Sequence, residues 1–175
     1  MTIPPLPVAI ALGSNLDDRY ELLQSGLRDV ESIVGVTVRA VSQLEETEPV
    51  GPAQPPFLNQ MVLIDCARSL ASLLTELQAI ELRHGRRKTY AKGPRTLDLD
   101  IVYADGVSIT SNDLLVPHPG LVGRGFWQRE LAELIGVAAA ADAIAAAQAH
   151  AGMDTAGSDG SREERRWSGS WETVV

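Results

Sequence analysis

Residues 93–103 read GPRTLDLDIVY and place two aspartates inside an otherwise apolar segment. As a strand, this segment puts three aliphatic side chains on one face, and Asp98 and Asp100 on the other. With a rise of about 3.3 Å per residue, the two carboxylates lie roughly 7 Å apart. Like charges at that spacing raise each other's pKa unless a cation or strong hydrogen-bond donors neutralise them. The segment therefore predicts a strand with one core-facing side and one side that attracts a cation.

Strand and helix patterns alternate on the N-terminal side of this segment. The predicted helices are residues 17–34, with Asn15 or Asp17 as N-cap, and the segment between Ser69 and Gly85. The predicted strands are residues 8–12, 37–43 and 57–65 and the aspartate segment, and the proline-rich residues 45–56 are predicted to form a loop. This order predicts an α+β fold, a ferredoxin-like βαββαβ antiparallel sheet with both helices on one face.

The chain of 175 residues is long enough for one domain with its own core. Residues 1–151 are predicted to form that single domain, which ends in an alanine-rich C-terminal helix with Val137 and Ile144 as its larger anchors. Residues 152–175 are rich in Gly and Ser and predict a flexible, low-complexity tail. The alternative for this segment is that its two tryptophans dock on the domain.

Composition argues against several classes of function. The net charge of −8 disfavours broad nucleic-acid binding, which needs a basic surface. The N-terminal segment lacks a basic region, and its apolar run is too short for a signal sequence or a membrane span. The single cysteine, Cys66, excludes an internal disulfide and fits a reducing compartment. We therefore expect a cytoplasmic monomer that binds neither nucleic acid nor membranes.

One segment of this acidic chain is strongly basic. Residues 83–95 read RHGRRKTYAKGPR and contain six Lys or Arg residues and no acidic residue. Arginine side chains match phosphate oxygens, and the carboxylates of Asp98 and Asp100 are hard ligands that suit Mg²⁺. Together they predict phosphoryl transfer from a nucleotide–magnesium complex. A solvated basic loop followed by a structural aspartate pair is the alternative interpretation.

Two further segments carry candidate binding residues. In PVGPAQPPFLNQ, Phe57 and Asn59 share one strand face, and an aromatic ring beside an amide suits a flat heterocycle. In PHPGLVGRGFW, His118 lies between two prolines, Arg124 adds a phosphate donor, and Phe126 can stack opposite Phe57. Each residue alone also fits a structural role, as a core phenylalanine, a turn-capping asparagine or a loop histidine.

These segments resemble the 6-hydroxymethyl-7,8-dihydropterin pyrophosphokinase family of the folate pathway. The matching stretches are ALGSNLDDR, ETEPVGPAQPPFLNQ, IELRHGR, GPRTLDLDIVY and VPHPGLVGRGF, which together span about residues 8–134. The resemblance implies a ferredoxin-like α+β fold and transfer of diphosphate from ATP to the hydroxymethyl group of 6-hydroxymethyl-7,8-dihydropterin, with release of AMP. ATP and this pterin are the implied partners, and Mg²⁺ is the implied cofactor.

The resemblance also implies roles for individual residues. Asp98 and Asp100 would bind two Mg²⁺ ions that bridge the triphosphate. Arg86 and Arg95 would hold phosphates from a loop that closes over the site. The pterin would contact Thr47, Glu48, Val50, Phe57, Asn59 and Phe126. The ATP site would be lined by Gln78, Glu81, Arg86, Arg95, Ile101, His118 and Arg124.

One stretch departs from the family. Family members commonly have Arg-Trp before Gly-Pro-Arg, whereas this chain has Ala91 and Lys92 at those positions. Tyr90 is therefore the candidate for an aromatic contact from the basic loop.

Two other functions fit the same residues. One is a Mg²⁺-dependent phosphotransferase that acts on another heteroaromatic alcohol, and the other is a non-catalytic ferredoxin-like module that binds RNA or a metabolite. The acidic composition, and the lack of an aromatic pair on the middle strands, disfavour RNA. Release of AMP from ATP, measured with and without the pterin, separates these alternatives.

Overall fold

The structure is a computed structural model that describes residues 2–87 and 92–154. Tyr90 and the two C-terminal tryptophans, Trp167 and Trp171, lie outside the described residues, so their predicted contacts stay predictions. The elements are, in chain order, β1 (Leu6–Ser14), α1 (Arg19–Glu31), β2 (Val36–Val41), β3 (Glu45–Thr47), β4 (Phe57–Cys66), α2 (Leu70–Arg83), β5 (Asp98–Ala104), β6 (Ile109–Thr110), β7 (Leu115–Val116), α3 (Gly120–Gly123), α4 (Gly125–Ile135) and α5 (Val137–Asp154). The β6–β7 hairpin, α3 and α4 were not predicted.

One antiparallel sheet carries the main strands in the order β2-β4-β1-β5. In a ferredoxin-like fold each βαβ unit leaves room for a strand between its two parallel strands, and this order satisfies that rule. The predicted α+β class and antiparallel sheet are confirmed. Strand β3 extends the sheet by pairing with β4, so the predicted loop begins after Thr47 and not at residue 45. Glu45–Thr47 can form a strand because the prolines come only later in that segment.

Helices α1 and α2 pack on one face of the sheet, as predicted. Their apolar stripes, which include Leu23 and Leu73, meet the aliphatic side chains of β1, β4 and β5 in one buried cluster. Leu97, Leu99 and Ile101 lie in this cluster, so the alternation predicted for the aspartate segment is confirmed. Full burial of each such side chain stabilises the fold by roughly 1.5–3 kcal/mol. The apolar side of β5 thereby fixes the direction in which its two aspartates point.

The opposite face of the sheet is covered by α3, α4 and α5. Ala11 of β1 and Val102 of β5 lie there in one buried cluster with Trp127 of α4. The alanine-rich helix α5 packs through Ala140, Ala143 and Ala147, which follow helical spacing. It runs to Asp154, so the predicted domain boundary at residue 151 falls inside it. Within the described residues, the helices are too short or too polar to cross a membrane.

The anchors of α5 differ in part from those predicted. Ile144 is partly buried against the second cluster, whereas Val137 is 78% exposed because it begins the helix outside the packed face. His150 is the missed anchor: its Nδ1 lies 3.0 Å from the carbonyl oxygen of Pro117, and its Nε2 lies 3.1 Å from the Ser108 hydroxyl. The C-terminal helix is therefore tied to the β6–β7 region by a buried polar side chain.

Two local predictions about α1 are wrong. Its N-cap is Asp18, whose carboxylate accepts a hydrogen bond of 3.0 Å from the backbone N–H three residues later. Asn15 is instead used in tertiary hydrogen bonds, and Asp17 has a left-handed backbone with φ of 55°. The helix ends before Val34, which is 83% exposed. By contrast, the predicted cap of α2 by Ser69 is confirmed.

Candidate active site

The floor of the site lies where β1 carries small residues. Gly13 pairs with Asn59 of β4 on one side and with Asp98 of β5 on the other. Two residues earlier, Ala11 pairs with Asp100. A Cβ at Gly13 would lie 3.4 Å from Asn59 Oδ1, so a larger side chain would fill the space between the amide and the carboxylates. The small residues of ALGS therefore leave an open floor between two groups of functional side chains.

A cavity of about 260 Å³ lies above this floor. Its lining residues are Ala11, Leu12, Gly13, Thr47, Glu48, Pro49, Val50, Phe57, Asn59, Lys92, Arg95, Asp98, Asp100, Gly120, Gly123, Arg124, Phe126 and Trp127. All the predicted pterin residues are on this wall, together with both predicted metal ligands and two of the predicted arginines. We call Arg95, Asp98 and Asp100 the charged side of the cavity, and Phe57, Asn59 and Phe126 its aromatic side.

Asp98 is held by two arginines on the charged side. Arg86 Nη1 donates to Asp98 Oδ1 at 2.6 Å, and Arg95 Nη1 donates to Asp98 Oδ2 at 3.0 Å. Arg86 Nη1 also lies 2.6 Å from Glu81 Oε1, which accepts a hydrogen bond of 2.7 Å from the Leu99 backbone N–H. The Arg86 side chain is only 4% exposed. A buried guanidinium therefore links the end of α2 to the start of β5 through two carboxylates.

The two aspartates have opposite pKa shifts. Burial alone would raise the pKa of Asp98, but the charges of Arg95 and Arg86 outweigh burial and hold that pKa well below its ordinary value. Burial, followed by the negative charge of Asp98, raises the pKa of Asp100 to about 7. The arginines already stabilise the charge of Asp98, whereas the charge of Asp100 would be stabilised by a bound cation.

Asn15 ties three loops together around the charged side. Its Oδ1 accepts a hydrogen bond of 2.8 Å from the Arg95 backbone N–H. Its Nδ2 donates to Gln54 Oε1 at 2.9 Å and to the Pro55 carbonyl at 3.0 Å. Gln54 Nε2 in turn donates to the Lys92 carbonyl at 2.6 Å. We predicted only a capping role for Asn15, because its real partners are distant in sequence and leave no local pattern.

Asn59 is held in one orientation on the aromatic side. Its Nδ2 donates to the Glu45 carbonyl at 3.1 Å and to Thr47 Oγ1 at 2.8 Å. The amide oxygen then lies on the side of Gly13, at the cavity floor. Phe57 pairs with Thr47 across β3 and β4, and both line the cavity. This side therefore offers an aromatic ring and a fixed hydrogen-bond acceptor to a flat ligand.

Trp127 is a cavity residue that we did not predict. Arg124 Cζ lies 4.2 Å from the centroid of the Trp127 ring, and His118 meets the same ring edge-to-face with centroids 5.2 Å apart. The Gly120 backbone N–H donates to His118 Nδ1 at 2.9 Å, so the neutral imidazole carries its proton on Nε2. Burial, followed by the charge of Arg124, lowers the pKa of His118 to about 3. The one sequence signal for Trp127 was an aromatic residue directly after Phe126.

Five predicted ATP-site residues lie off the cavity wall, as far as the described residues show it: Gln78, Glu81, Arg86, Ile101 and His118. Ile101 is buried in the core between the sheet and the helices α1 and α2. Glu81 and Arg86 form the buried ion pair, and His118 contacts the wall residue Trp127. Gln78 is half-buried on α2. Their predicted contacts with ATP stay predictions.

Metal binding at the charged side would depend on two carboxylates. Across residues 2–87 and 92–154, no set of three or more His, Cys, Asp or Glu side chains is arranged to hold a metal ion. Mg²⁺ commonly takes only one or two carboxylates and completes its shell with water and substrate phosphates. Asp98 and Asp100 therefore fit a Mg²⁺ ion that arrives with a phosphate ligand better than a metal held by protein alone.

Comparison with known proteins gives the same family along most of the chain. The model of the family described as 7,8-dihydro-6-hydroxymethylpterin-pyrophosphokinase (HPPK) matches residues 9–136. The 2-amino-4-hydroxy-6-hydroxymethyldihydropteridine pyrophosphokinase of Pseudomonas aeruginosa is 41% identical over 128 residues, which are 73% of this chain and 79% of the relative. The Bacillus subtilis protein of the same name is 40% identical over 126 residues, which are 71% of this chain and 75% of the relative.

Longer relatives contain this unit as one part. The folic acid synthesis protein fol1 of Schizosaccharomyces pombe is 42% identical over 126 residues, and this match spans 71% of the chain but 17% of fol1. A solved HPPK-DHPS structure in complex with substrates aligns with a TM-score of 0.56 at 14% identity, covering 75% of this chain and 40% of that chain. That likeness concerns the fold alone. With the family match over residues 9–136, the chain belongs to the 7,8-dihydro-6-hydroxymethylpterin-pyrophosphokinase family.

Proposed function

We propose that this chain transfers diphosphate from ATP to the hydroxymethyl group of 6-hydroxymethyl-7,8-dihydropterin, forming AMP and the pterin diphosphate for folate synthesis. The observation that carries the proposal is that one cavity joins Asp98 and Asp100 to Phe57 and Asn59 over the same sheet floor. Such a cavity suits a phosphate chain beside a flat heterocycle. The names of the bacterial relatives support the same reaction.

The products define which bonds change. The hydroxymethyl oxygen of the pterin attacks the β-phosphorus of ATP, and the bond from that phosphorus to the oxygen bridging the α-phosphorus breaks. AMP leaves with the bridging oxygen and its electron pair, and the hydroxyl proton passes to solvent. Phosphoryl transfer of this kind needs little covalent chemistry from the protein, so catalysis comes from positioning and charge stabilisation. A cavity with both substrates over one rigid sheet provides the positioning.

The aromatic side is proposed to bind the pterin. Phe57 and Phe126 offer ring faces for stacking, which contributes about 1–3 kcal/mol per stacked heterocycle. Because its Nδ2 is committed to backbone and hydroxyl acceptors, Asn59 has Oδ1 left to accept a hydrogen bond from a ring N–H of the pterin. The adjacent wall residues Thr47, Glu48 and Val50 would contact the ring edge.

The charged side is proposed to bind the triphosphate. Arg95 and Arg124 line the cavity and present guanidinium groups there. Arg95 now pairs with Asp98, and ATP phosphates would compete for the same donors. Arg86 is buried between Glu81 and Asp98, so in this arrangement it positions the Asp98 carboxylate. Its predicted grip on a phosphate would require rearrangement of that ion pair.

Asp98 and Asp100 are proposed to hold two Mg²⁺ ions. The residues fit hard cations, because both offer carboxylate oxygens on one strand face at the cavity. The raised pKa of Asp100 fits as well, since burial and its charged neighbour leave it in need of a counter-charge. When bound, Mg²⁺ would neutralise charge on the phosphates that are transferred and released.

We also propose that the protein acts as a cytoplasmic monomer without nucleic-acid partners. The exposed large apolar residues, such as Tyr20, Leu82 and Val137, lie on different elements. Cys66 is a buried free thiol, which suits a reducing compartment. Light scattering across protein concentrations checks the monomer, and cell fractionation checks the location.

The decisive experiment measures AMP formation from ATP with and without 6-hydroxymethyl-7,8-dihydropterin. We expect AMP only when Mg²⁺ and the pterin are both present, in a ratio of one AMP to one pterin diphosphate. Matched controls are Asp100→Asn and the surface variant Asp105→Asn, which changes the same group outside the cavity. Release of ADP would indicate transfer of a single phosphate, and AMP formed without pterin would indicate hydrolysis. Either result would overturn the proposal.

A further inference from the structure

Trp127 contacts two of the residues proposed to bind ATP, although its sequence position predicted nothing of the kind. We propose that Trp127 is a positioning residue that holds the Arg124 guanidinium at the cavity wall, ready for the phosphates of ATP. This inference rests on the proposed function, since it assigns the anion that Arg124 meets. The contact that carries it is the 4.2 Å separation between Arg124 Cζ and the centroid of the indole ring.

Arg124 is held differently from the other arginines of the site. Arg86 and Arg95 both pair with Asp98. Within the part of the chain that the structure describes, Arg124 has no ion pair, and its partner is the face of Trp127. A ring face attracts a cation through its quadrupole without occupying the guanidinium N–H donors. The charge of Arg124 is therefore oriented but not neutralised, which is what a phosphate-binding arginine needs before its ligand arrives.

Arg124 lies close enough to act on the charged side. Arg124 lines the same cavity as Asp98 and Asp100. The arginine and the two proposed metal ligands therefore border one space. A triphosphate bound there would meet Arg124 on one side and the carboxylate-bound cations on the other.

The indole ring is itself fixed by the core. Trp127 is 3% exposed and lies in the buried cluster between the sheet and the C-terminal helices. A Cβ at Gly120 would lie 3.0 Å from the indole and 2.9 Å from His118 Nδ1, so only glycine fits beside both rings. Close-packed interiors deform little, so the core fixes the position of the indole ring. The ring in turn fixes the position of Arg124. The same ring contacts His118, so one residue orients two groups.

The first test replaces the ring and measures steady-state kinetics. Trp127→Leu keeps an apolar side chain but removes the ring face, and it should raise the KM for ATP about 3- to 30-fold. The conservative variant Trp127→Phe retains an aromatic ring face, and it should keep the KM for ATP within about threefold of the original value. The KM for the pterin should change less than the KM for ATP in both variants. Equal rises in the two KM values would overturn the proposal.

A double-mutant cycle separates positioning from general packing. If Trp127 acts through Arg124, then Trp127→Leu should have no further effect on ATP affinity once Arg124→Ala is present. The two single variants and the double variant would be compared by calorimetric titration with ATP and Mg²⁺, alongside thermal melting. A loss of ATP affinity from Trp127→Leu of the same size in both backgrounds would show a packing role only and refute the proposal.

A fluorescence titration covers the case in which Trp127→Leu fails to fold. The chain has three tryptophans, so Trp167→Phe with Trp171→Phe leaves Trp127 as the single tryptophan, whose emission can be excited selectively over that of tyrosine. Binding of ATP with Mg²⁺, or of inorganic tripolyphosphate, should change its emission saturably, and Arg124→Ala should abolish the change. Calorimetric binding with unchanged emission would refute the positioning role. Neither readout needs AMP formation, so ATP binding with this signature but no product would refute the proposed reaction alone.

Discussion

The charged and aromatic sides of the cavity share one floor, but their side chains are held in different ways. On the charged side, Asp98 depends on Arg95 and on a buried Arg86 that is also paired with Glu81. On the aromatic side, Phe57 is placed by its own strand through pairing with β3. Changes at Asp98 or Arg86 should therefore affect both chemistry and stability, whereas changes on the aromatic side should stay local.

The largest effect is expected at the two aspartates. Asp98→Asn and Asp100→Asn should each lower AMP formation more than about a hundredfold, since each removes charge that stabilises the reacting complex. Their effects on stability should differ in sign. Asp98→Asn weakens hydrogen bonds from two arginines and should lower the free energy of unfolding by roughly 1–3 kcal/mol. Asp100→Asn removes a half-buried charge that has no hydrogen-bond donor among the described residues, and it should stabilise the metal-free protein.

Urea unfolding without Mg²⁺, together with the AMP assay, measures both quantities. Asp105→Asn is the matched control, because it should change neither. If Asp98→Asn and Asp100→Asn moved stability in the same direction, the two aspartates would not differ as their surroundings indicate. Near-normal turnover by either variant, at the Mg²⁺ concentration used for the original protein, would contradict the assignment of Asp98 and Asp100 as metal ligands.

The arginines provide the next comparison. Arg95→Ala should lower the turnover rate about ten- to a hundredfold with a small change in melting temperature, because Arg95 lines the cavity. Arg86→Ala should also lower turnover, but with a clear loss of stability, because Glu81 would keep a buried charge without its partner. Melting curves and kcat for both variants test this. Equal destabilisation by the two variants would mean that the Arg95 and Arg86 ion pairs contribute equally to stability, and it would contradict this prediction.

Phe57→Ala tests the locality of the aromatic side. Loss of a stacking face should weaken pterin binding by about 1–3 kcal/mol. ATP affinity should be unchanged, because Phe57 lies on β4 and has no described contact with the arginines. Calorimetry with each ligand checks both statements. The matched control is Leu58→Ala, because Leu58 packs against the core between the sheet and helices α1 and α2. A change in ATP affinity as large as the change in pterin affinity would remove the distinction between the two sides.

Glu130 is a buried carboxylate that lacks the arginine partners of Asp98. It lies one turn after Phe126 on α4, is 3% exposed, and has no hydrogen-bond partner for either carboxylate oxygen among the described residues. Burial, followed by the charges of Glu45 and Glu133, raises its pKa to about 8. Because the folded state binds this proton more tightly than the unfolded state, its stabilising effect is full below about pH 4.5 and lost as pH rises towards 8.

Glu130→Gln should remove this pH dependence. The variant should gain roughly 2 kcal/mol of unfolding free energy at pH 8 and little at pH 5, since the glutamic acid is already neutral in the folded state there. Arg129, the nearby cation, only partly offsets the shift. Urea unfolding at both pH values measures the effect, with Glu31→Gln, an exposed glutamate of α1 on the other side of the sheet, as control. A gain of equal size at both pH values would show that charge is not the cause.

The sequence contained enough information to predict the core between the sheet and helices α1 and α2, and to identify the residues of the charged side. Alternation in β5 and the cap at Ser69 are local patterns, and local patterns survive folding when the core agrees with them. The strand pattern identified Asp98 as a candidate site residue but could not predict its ion pairs. Two aspartates in a strand are conspicuous, but the pairing of one with Arg86 and Arg95 depends on where the loop returns.

The C-terminal layer was harder to predict because its signals are not local. Trp127 looks like one aromatic residue of an ordinary helix until the turn before α4 places Arg124 over it. Helix α5 has no large apolar stripe, and its alanines are buried only because the β1 surface beneath is also made of small residues, including Ala9 and Ala11. His150 has partners from 33 to 42 residues away. Only tertiary structure brings these groups together.

The smallest effect is expected from removal of the C-terminal segment after α5. Among the described residues, Trp127 is the last on the cavity wall and Ala147 the last in the buried clusters, and His150 follows as a polar anchor. A chain that ends at Asp154 keeps all three. It should therefore melt within about 4 °C of the full chain, a difference of no more than about 1 kcal/mol. AMP formation should stay within about twofold.

A chain that ends at Gly136, where the family match also ends, is the matched control. It loses the buried alanines of α5 and His150, and it should melt many degrees lower because the β1 surface and the Pro117 carbonyl lose their cover. The comparison between the two truncations distinguishes a helix that is part of the domain from a segment that is not. If the longer truncation product melted as low as the shorter one, Trp167 and Trp171 would have to pack on the domain. The C-terminal segment would then belong to the folded domain, and its removal would expose the apolar surface that the two tryptophans cover.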